Sequence, residues 1–293
     1  MSDKEYLYSE IFHSLQGEGT YTGQRTAWLR YFLCNLQCNG FGQKDPTNPD
    51  TYDLPFETFD VSTVDKVEDL PVWDKGCDSS YTWAKKYKHL MGSKTPSQLC
   101  DEVEKVCGPF LHPISKQTGD MCFTGGEPMM PTSQQCTVDM MKEFIDRGNL
   151  PRSVTIETNG TKPLKDEFRE FWQENDLPIE LFWSVSPKLW TVAGEKASRA
   201  IKPEVVQGYR WLSNKGHLKF VVGSAQREWD EMESVVELFR QHDINWPVFI
   251  MPTGATEEEQ IGSAKEVAEK ALERGYNISA RVHVYLFGNA IGT

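Results

Sequence analysis

The segment Cys34-Asn35-Leu36-Gln37-Cys38, with Cys77-Asp78-Ser79 further along the chain, decides how the rest of the sequence is interpreted. Three thiolates can hold a cubane iron–sulfur cluster and leave one iron open to a small molecule, whereas four thiolates close the cluster. An open metal position likewise separates catalytic from structural metal sites. Thirty-eight residues lie between Cys38 and Cys77, so no local spacing identifies the third ligand. Cys34 and Cys38 therefore also fit half of a zinc site, or two buried thiols without a ligand.

The composition of the chain indicates a cytoplasmic globular protein. Its 293 residues allow a substantial core, and 39% of them are apolar. No stretch resembles a membrane span, and the first five residues lack the apolar run of a signal peptide. Thiols stay reduced in the cytoplasm, so we expect the seven cysteines to be ligands or core residues. The net charge of −12 argues against direct binding of nucleic acid.

Strands and helices alternate along most of the sequence. The predicted strands are 5–13, 26–33, 120–124, 153–157, 181–185, 217–222 and 247–251, and the predicted helices are 96–107, 132–147, 164–175, 227–242 and 257–274. Such alternation predicts right-handed βα units, a mainly parallel sheet and an α/β fold. We expect a single domain, 1–293, and four structural cysteines, which are Cys100, Cys107, Cys122 and Cys136.

Polar motifs follow three consecutive predicted strands. They are Thr124-Gly125-Gly126-Glu127-Pro128, Glu157-Thr158-Asn159-Gly160-Thr161 and Ser186-Pro187-Lys188. Any one of them could be an ordinary turn, because Gly, Asn, Ser and Pro are turn residues. Active sites of β/α barrels lie at the carboxyl ends of the strands. Three such ends in succession therefore favour a ligand site.

These motifs, with Gln16-Gly17-Glu18-Gly19 before the cysteines and the segment 281–289 at the end, resemble the radical S-adenosylmethionine (SAM) enzymes from about residue 8 onward. The resemblance is to the branch of that family that forms the 7-deazaguanine ring. It implies an open partial (β/α)6 barrel with a [4Fe-4S] cluster, SAM and Mg²⁺. It also implies a carbon–nitrogen lyase of queuosine-type biosynthesis, which converts 6-carboxy-5,6,7,8-tetrahydropterin to 7-carboxy-7-deazaguanine with loss of ammonia. An electron donor such as flavodoxin is implied, and a homodimer is compatible with the family.

The resemblance also assigns roles to individual residues. The cluster ligands are Cys34, Cys38 and Cys77, and Ser79 takes the place of a threonine that binds Mg²⁺. The residues assigned to SAM are Thr124, Gly125, Gly126, Glu127, Glu157, Ser186 and Lys188. The residues assigned to the pterin are Gln16, Glu18 and Arg30. No side chain beyond the cluster and SAM is assigned to the chemistry itself.

Two segments depart from the family pattern or have a weaker assignment. The insertion at about 39–76 holds nine acidic residues against three lysines, and its aromatic content predicts an ordered loop that packs on the barrel. Phe41 stands where an uninterrupted CxxxCxxC motif would place the third cysteine. Near the end, Arg281, His283 and Tyr285 are interpreted as one face of a last strand, so His283 either lines the site or is satisfied at an edge.

Two other functions remain open from the sequence. An activase of a glycyl-radical protein would share the cluster and the Gly-Gly-Glu-Pro motif. A non-catalytic metal-binding interaction protein would account for the insertion and the displaced third cysteine. The length and the insertion are also similar to virus-encoded relatives, whose product feeds DNA rather than tRNA modification, and the sequence leaves both destinations open.

Overall fold

One nine-stranded sheet organises the computed structural model, which describes residues 4–175, 177–288 and 290–292. The strand order is β3-β1-β2-β4-β5-β6-β7-β8-β9. The strands are β1 (Tyr6–Leu15), β2 (Arg25–Tyr31), β3 (Gly92–Lys94), β4 (Asp120–Gly125), β5 (Ser153–Thr158), β6 (Glu180–Val185), β7 (Gly216–Val222), β8 (Val248–Pro252) and β9 (Asn277–Ile278). From β2 to β9 every pair is parallel, and β1 pairs antiparallel with both β2 and β3.

Helices connect most of the parallel strands. They are α1 (Pro55–Thr58), α2 (Pro96–Cys107), α3 (Pro131–Asp146), α4 (Asp166–Glu174), α5 (Trp190–Ala193), α6 (Ala197–Ala200), α7 (Pro203–Leu212), α8 (Gln226–Gln241), α9 (Glu257–Glu273) and α10 (Val282–Phe287). Local sequence explains several boundaries. Thr95 and Thr256 each accept a hydrogen bond at the start of α2 and α9 in a complete capping box. The predicted α/β fold, an open partial barrel, is confirmed.

The main core lies against the parallel strands. Trp183 and Trp229 are fully buried, and Trp183 stacks on Tyr209 of α7 with ring centroids 4.4 Å apart. Burying a large apolar side chain stabilises the folded protein by roughly 1.5–3 kcal/mol. These buried residues therefore hold in place the strands that carry the site. None of the described helices is long and apolar enough to cross a membrane.

Residues 39–76 form short helical turns around a second apolar cluster, which they share with the segment after Cys77. The members of this second cluster are Phe56, Val64, Val67, Leu70, Trp73, Tyr81, Ala84 and Tyr87. Tyr87 donates a hydrogen bond of 2.6 Å to the carbonyl oxygen of Phe56, so the segment after Cys77 is tied to the insertion. The insertion is therefore ordered by burial of its aromatic residues.

Candidate functional site

A cavity of about 540 Å³ lies at the carboxyl ends of the parallel strands. All but one of the residues assigned from the sequence line it. These are Gln16, Glu18, Arg30, Cys34, Cys38, Cys77, Ser79, Thr124, Gly125, Gly126, Glu157, Ser186 and Lys188. The exception is Glu127. Residues of the insertion, Trp73 and Asp74 among them, also form part of the wall.

The three assigned thiols share one apolar cluster with Leu36, Phe41, Ala193 and Ala200. Burial, and then the charge of Glu127, raises the pKa of Cys34 to about 12, and burial also raises the pKa of Cys38 and of Cys77. Buried thiols of this kind stay neutral unless a metal takes their charge. Cys100, Cys107, Cys122 and Cys136 are buried elsewhere and do not line the cavity.

The three thiols are the kind of ligand that holds an iron–sulfur cluster. In the described part of the chain no three Cys, His, Asp or Glu side chains are arranged to hold a single metal ion. Ligands of a cubane bind separate irons, so their sulfurs do not converge on one point. Three cavity-lining thiols in an apolar surround are thus a donor set suited to an iron–sulfur cluster.

The backbone around the first two cysteines is held by a carboxylate that sequence reasoning missed. Glu195 is 6% exposed, and its Oε1 accepts hydrogen bonds from the amides of Gln37 (2.7 Å) and Cys38 (2.9 Å). The Asn35 side chain donates to Thr161 Oγ1 (2.9 Å) and accepts from Asn159 Nδ2 (3.2 Å). The cysteine loop is therefore fixed to both the α5–α6 connection and the turn after β5.

The Gly-Gly-Glu-Pro turn approaches the cysteine loop closely. A Cβ on Gly126 would lie 2.1 Å from the carbonyl oxygen of Leu33, so only glycine fits there. Glu127 is buried, and its carboxylate accepts from Thr158 Oγ1 (2.6 Å), Asn159 N (2.8 Å) and Met129 N (2.9 Å). The structure thus places Glu127 beneath the cavity wall, where it supports the turn after β5.

Glu157 connects residues assigned to SAM with a residue assigned to the pterin. Its Oε2 accepts from Thr124 Oγ1 (3.0 Å), and its Oε1 accepts from Gln16 Nε2 (3.2 Å). Gln16 Oε1 in turn accepts from the amide of Glu18 (3.0 Å). These contacts form a continuous polar chain across the floor of the cavity.

The carboxylate of Glu18 lies between two cations. It contacts Lys219 Nζ and accepts from Arg281 Nε at 3.2 Å. Burial alone would raise the pKa of Glu18, but Lys219 and Arg281 hold it well below its usual range. Glu18 is therefore ionised in the cavity.

Arg30 is also paired with a buried acid. Its Nε donates to Glu10 Oε1 at 3.2 Å, and Tyr81 donates to the same oxygen at 3.0 Å. Glu10 on β1 is the register partner of Arg30 on β2. Glu10 thus orients the guanidinium on the cavity wall.

The remaining assigned side chains lie near the cysteines. Lys188 Nζ donates to Ser186 Oγ (3.0 Å) and lies 5.8 Å from the ring centroid of Phe41. Ser79 Oγ is 3.5 Å from Cys77 Sγ. A cation, two hydroxyls and three thiols therefore meet on one side of the cavity.

The interpretation of the segment after Ser279 as a strand is wrong. Val282–Phe287 forms the helix α10, which ends at Gly288 with φ of 70°, a left-handed conformation that suits glycine at a helix end. The alternating apolar residues resembled a strand, and the glycine was the signal for a helix. His283 lines the cavity, and Asn289 lies outside the described residues.

Two buried polar residues on β7 were missed because their strand was interpreted only as core, and of these Lys219 lines the cavity. His217 and Lys219 alternate on one face of the strand, with 3% and 5% exposure. His217 lies 2.8 Å from Ser184 Oγ and 3.0 Å from Thr20 Oγ1, and burial lowers its pKa to about 3. In the sequence, the only signal for these two residues was the alternation of polar and apolar side chains within a short strand.

The chain is similar to known proteins over nearly its whole length. The 7-carboxy-7-deazaguanine synthase of Thermoplasma acidophilum is 22% identical over 98% of this chain and 99% of its own length. That of Pyrobaculum aerophilum is 26% identical over 97% of this chain and 95% of its own. No family model matches the chain.

Among solved structures, the crystal structure of QueE from Escherichia coli matches with a TM-score of 0.55 and 17% identity, covering 95% of each chain, and this likeness supports the fold. Fold, thiol set and strand-end motifs together define a radical SAM enzyme. The relatives narrow the class further. The chain is similar to 7-carboxy-7-deazaguanine synthases over nearly its whole length.

Proposed function

We propose that this chain converts 6-carboxy-5,6,7,8-tetrahydropterin to 7-carboxy-7-deazaguanine with loss of ammonia, as a step of 7-deazaguanine biosynthesis. The observation that carries the proposal is the hydrogen-bonded chain from Thr124 through Glu157 and Gln16 to Glu18. It joins the residues assigned to SAM to the residues assigned to the pterin within one cavity. Two ligands that react with each other must be held close together and correctly oriented in one cavity.

Cys34, Cys38 and Cys77 would hold a [4Fe-4S] cluster, which together with SAM supplies the radical chemistry when bound. The other side chains bind and orient. The residues that would bind SAM are Ser186, Lys188, Glu157, Thr124 and the backbone of Gly125 and Gly126. Glu127 does not line the cavity, and its carboxylate instead supports the site by fixing the turn after β5.

Three polar side chains bind the pterin. The ionised Glu18 accepts from the amino-pyrimidine edge, Gln16 donates or accepts beside it, and Arg30 pairs with an acidic group or ring edge. The buried surroundings strengthen these contacts, because few water molecules compete for them. Ser79, beside Cys77, would supply an oxygen ligand to Mg²⁺.

We propose a single domain, 1–293, with the insertion at 39–76 as one wall of the site. We further propose a cytoplasmic location, a homodimer, a one-electron donor such as flavodoxin, and no direct contact with nucleic acid. The insertion's excess of acidic residues and the net charge of −12 support the last point.

Anaerobic reconstitution with iron and sulfide tests the proposal. We expect a brown protein that cleaves SAM only when a reductant is present and that binds the pterin. A protein that holds one zinc ion and leaves SAM intact would instead be a metal-binding module. A protein that cleaves SAM but does not bind the pterin would favour the activase.

A further inference from the structure

The guanidinium of Arg281 joins three segments around the cavity. Its Nε donates to Glu18 Oε1 (3.2 Å), its Nη1 to the carbonyl oxygen of Gly254 (3.3 Å), and its Nη2 to Asp78 Oδ2 (3.3 Å). The side chain is 11% exposed. Each of its three nitrogens therefore donates to a protein acceptor, so Arg281 links three protein segments.

The two carboxylates that Arg281 contacts belong to different parts of the site. Glu18 lies on the turn between β1 and β2, which carries residues assigned to the pterin. Asp78 lies between Cys77 and Ser79, which are assigned to the cluster and to Mg²⁺. The amide next to Arg281, that of Val282, donates to the carbonyl oxygen of Gly17 at 2.9 Å, so the arginine is itself anchored on the turn.

The two contacts differ in strength. The Glu18 side chain is 13% exposed, whereas the Asp78 side chain is 51% exposed. An ion pair shielded from water is weakened less by solvent than an exposed one. The contact with Glu18 therefore dominates, and the contact with Asp78 adds a weaker link to the third-cysteine segment.

We propose that Arg281 is a positioning residue that orients Glu18 toward the pterin and ties it to the Cys77-Asp78-Ser79 segment. The inference rests on the proposed function and deepens it, because it names what fixes the substrate group relative to the cluster ligands. Lys219 holds the second oxygen of Glu18 from β7, but it does not reach the third-cysteine segment through any contact described for it. Arg281 contacts both.

The test is anaerobic equilibrium binding of 6-carboxy-5,6,7,8-tetrahydropterin and, separately, of SAM to the cluster-loaded protein without reductant. Arg281→Ala should weaken pterin binding about tenfold and change SAM binding by less than about twofold. Arg281→Lys should recover part of the loss, because lysine can pair with Glu18 but cannot span both carboxylates. Asp78→Asn should weaken pterin binding about threefold in the native background and not in Arg281→Ala.

Arg147→Ala is the matched control, because Arg147 also joins several acids (Asp101, Glu104 and Glu143) but lies away from the cavity. It should leave pterin affinity unchanged. Native pterin affinity in Arg281→Ala, or equal losses for pterin and SAM, would overturn the inference. If Arg281→Ala does not fold, Arg281→Lys and Asp78→Asn decide, and native affinity in both overturns it. A native protein that does not bind pterin would instead remove the proposed function.

Discussion

The backbone amide of Gly76 donates a hydrogen bond of 2.8 Å to the carbonyl oxygen of Phe41. The chain therefore leaves the cysteine loop at Phe41 and returns to the same place before Cys77. Phe41 stands where an uninterrupted motif would have its third cysteine. The insertion is thus closed at its base, and Cys77 reaches the cavity despite its distance in sequence.

Cysteine replacement tests this arrangement. We expect Cys34→Ala, Cys38→Ala and Cys77→Ala to lose iron and sulfide after reconstitution, because each removes one cluster ligand. Cys100→Ala, Cys107→Ala, Cys122→Ala and Cys136→Ala should keep the cluster and lose about 1 kcal/mol of stability. Full iron in Cys77→Ala, together with loss in Cys100→Ala or Cys122→Ala, would show that another thiol is the third ligand.

Magnesium dependence tests the role of Ser79. Turnover by the native protein should rise with Mg²⁺ concentration, whereas Ser79→Ala should respond little, because it lacks the oxygen ligand. Ser79→Thr is the conservative control and should keep the response. Superimposable magnesium curves for native protein and Ser79→Ala would remove Ser79 from the metal site.

Glu195 should matter for retention of the cluster. Glu195→Ala leaves the amides of Gln37 and Cys38 without their acceptor and frees the loop that carries two ligands. We expect a chelator to remove iron from Glu195→Ala about tenfold faster than from the native protein. That is the order of effect seen when a residue that supports a metal ligand is lost. Glu195→Gln, which keeps an oxygen acceptor, should be intermediate. Equal rates for native protein and Glu195→Ala would contradict this role.

The buried His217 should make stability depend on pH. Its pKa is lowered to about 3, so below its ordinary pKa the unfolded chain binds a proton that the folded chain does not. Above about pH 6.5 this group does not lower the free energy of unfolding. As the pH drops from there toward 3, the free energy of unfolding falls by up to about 1.4 kcal/mol per pH unit. Urea unfolding of the native protein and His217→Gln between pH 4.5 and 7.5 measures this. The variant should show a smaller slope, and identical slopes would mean that His217 is not buried as a neutral ring.

Much of the fold could be predicted because local sequence and tertiary packing agree. The strands β2 and β4–β8 and the long helices α2, α3, α8 and α9 were found to within about two residues, since apolar periodicity and capping residues mark them. The edge strands β3 and β9 were missed because they have only three and two residues. Their pairing depends on the neighbouring strand and not on their own pattern.

The candidate site was predictable only in part for a related reason. Gln16, Glu18, Cys34 and Cys38 lie in short motifs, whereas Cys77 was assigned only by resemblance because no local spacing identifies it. Glu195 and Arg281 act through contacts between segments that are distant in the chain, and no local pattern marks such contacts. The path of the insertion back to the cysteine loop likewise follows from packing around Phe56 and Tyr87.

The most direct test of the account is anaerobic turnover of 6-carboxy-5,6,7,8-tetrahydropterin by the reconstituted protein with SAM, Mg²⁺ and a reductant, followed by mass spectrometry. We expect 7-carboxy-7-deazaguanine and ammonia in equal amounts from the native protein. We expect far less product from Glu18→Gln, with SAM binding retained, because the ionised acceptor for the pterin is lost. A native protein with a full cluster and bound SAM that leaves the pterin unchanged would show that it is not a 7-carboxy-7-deazaguanine synthase.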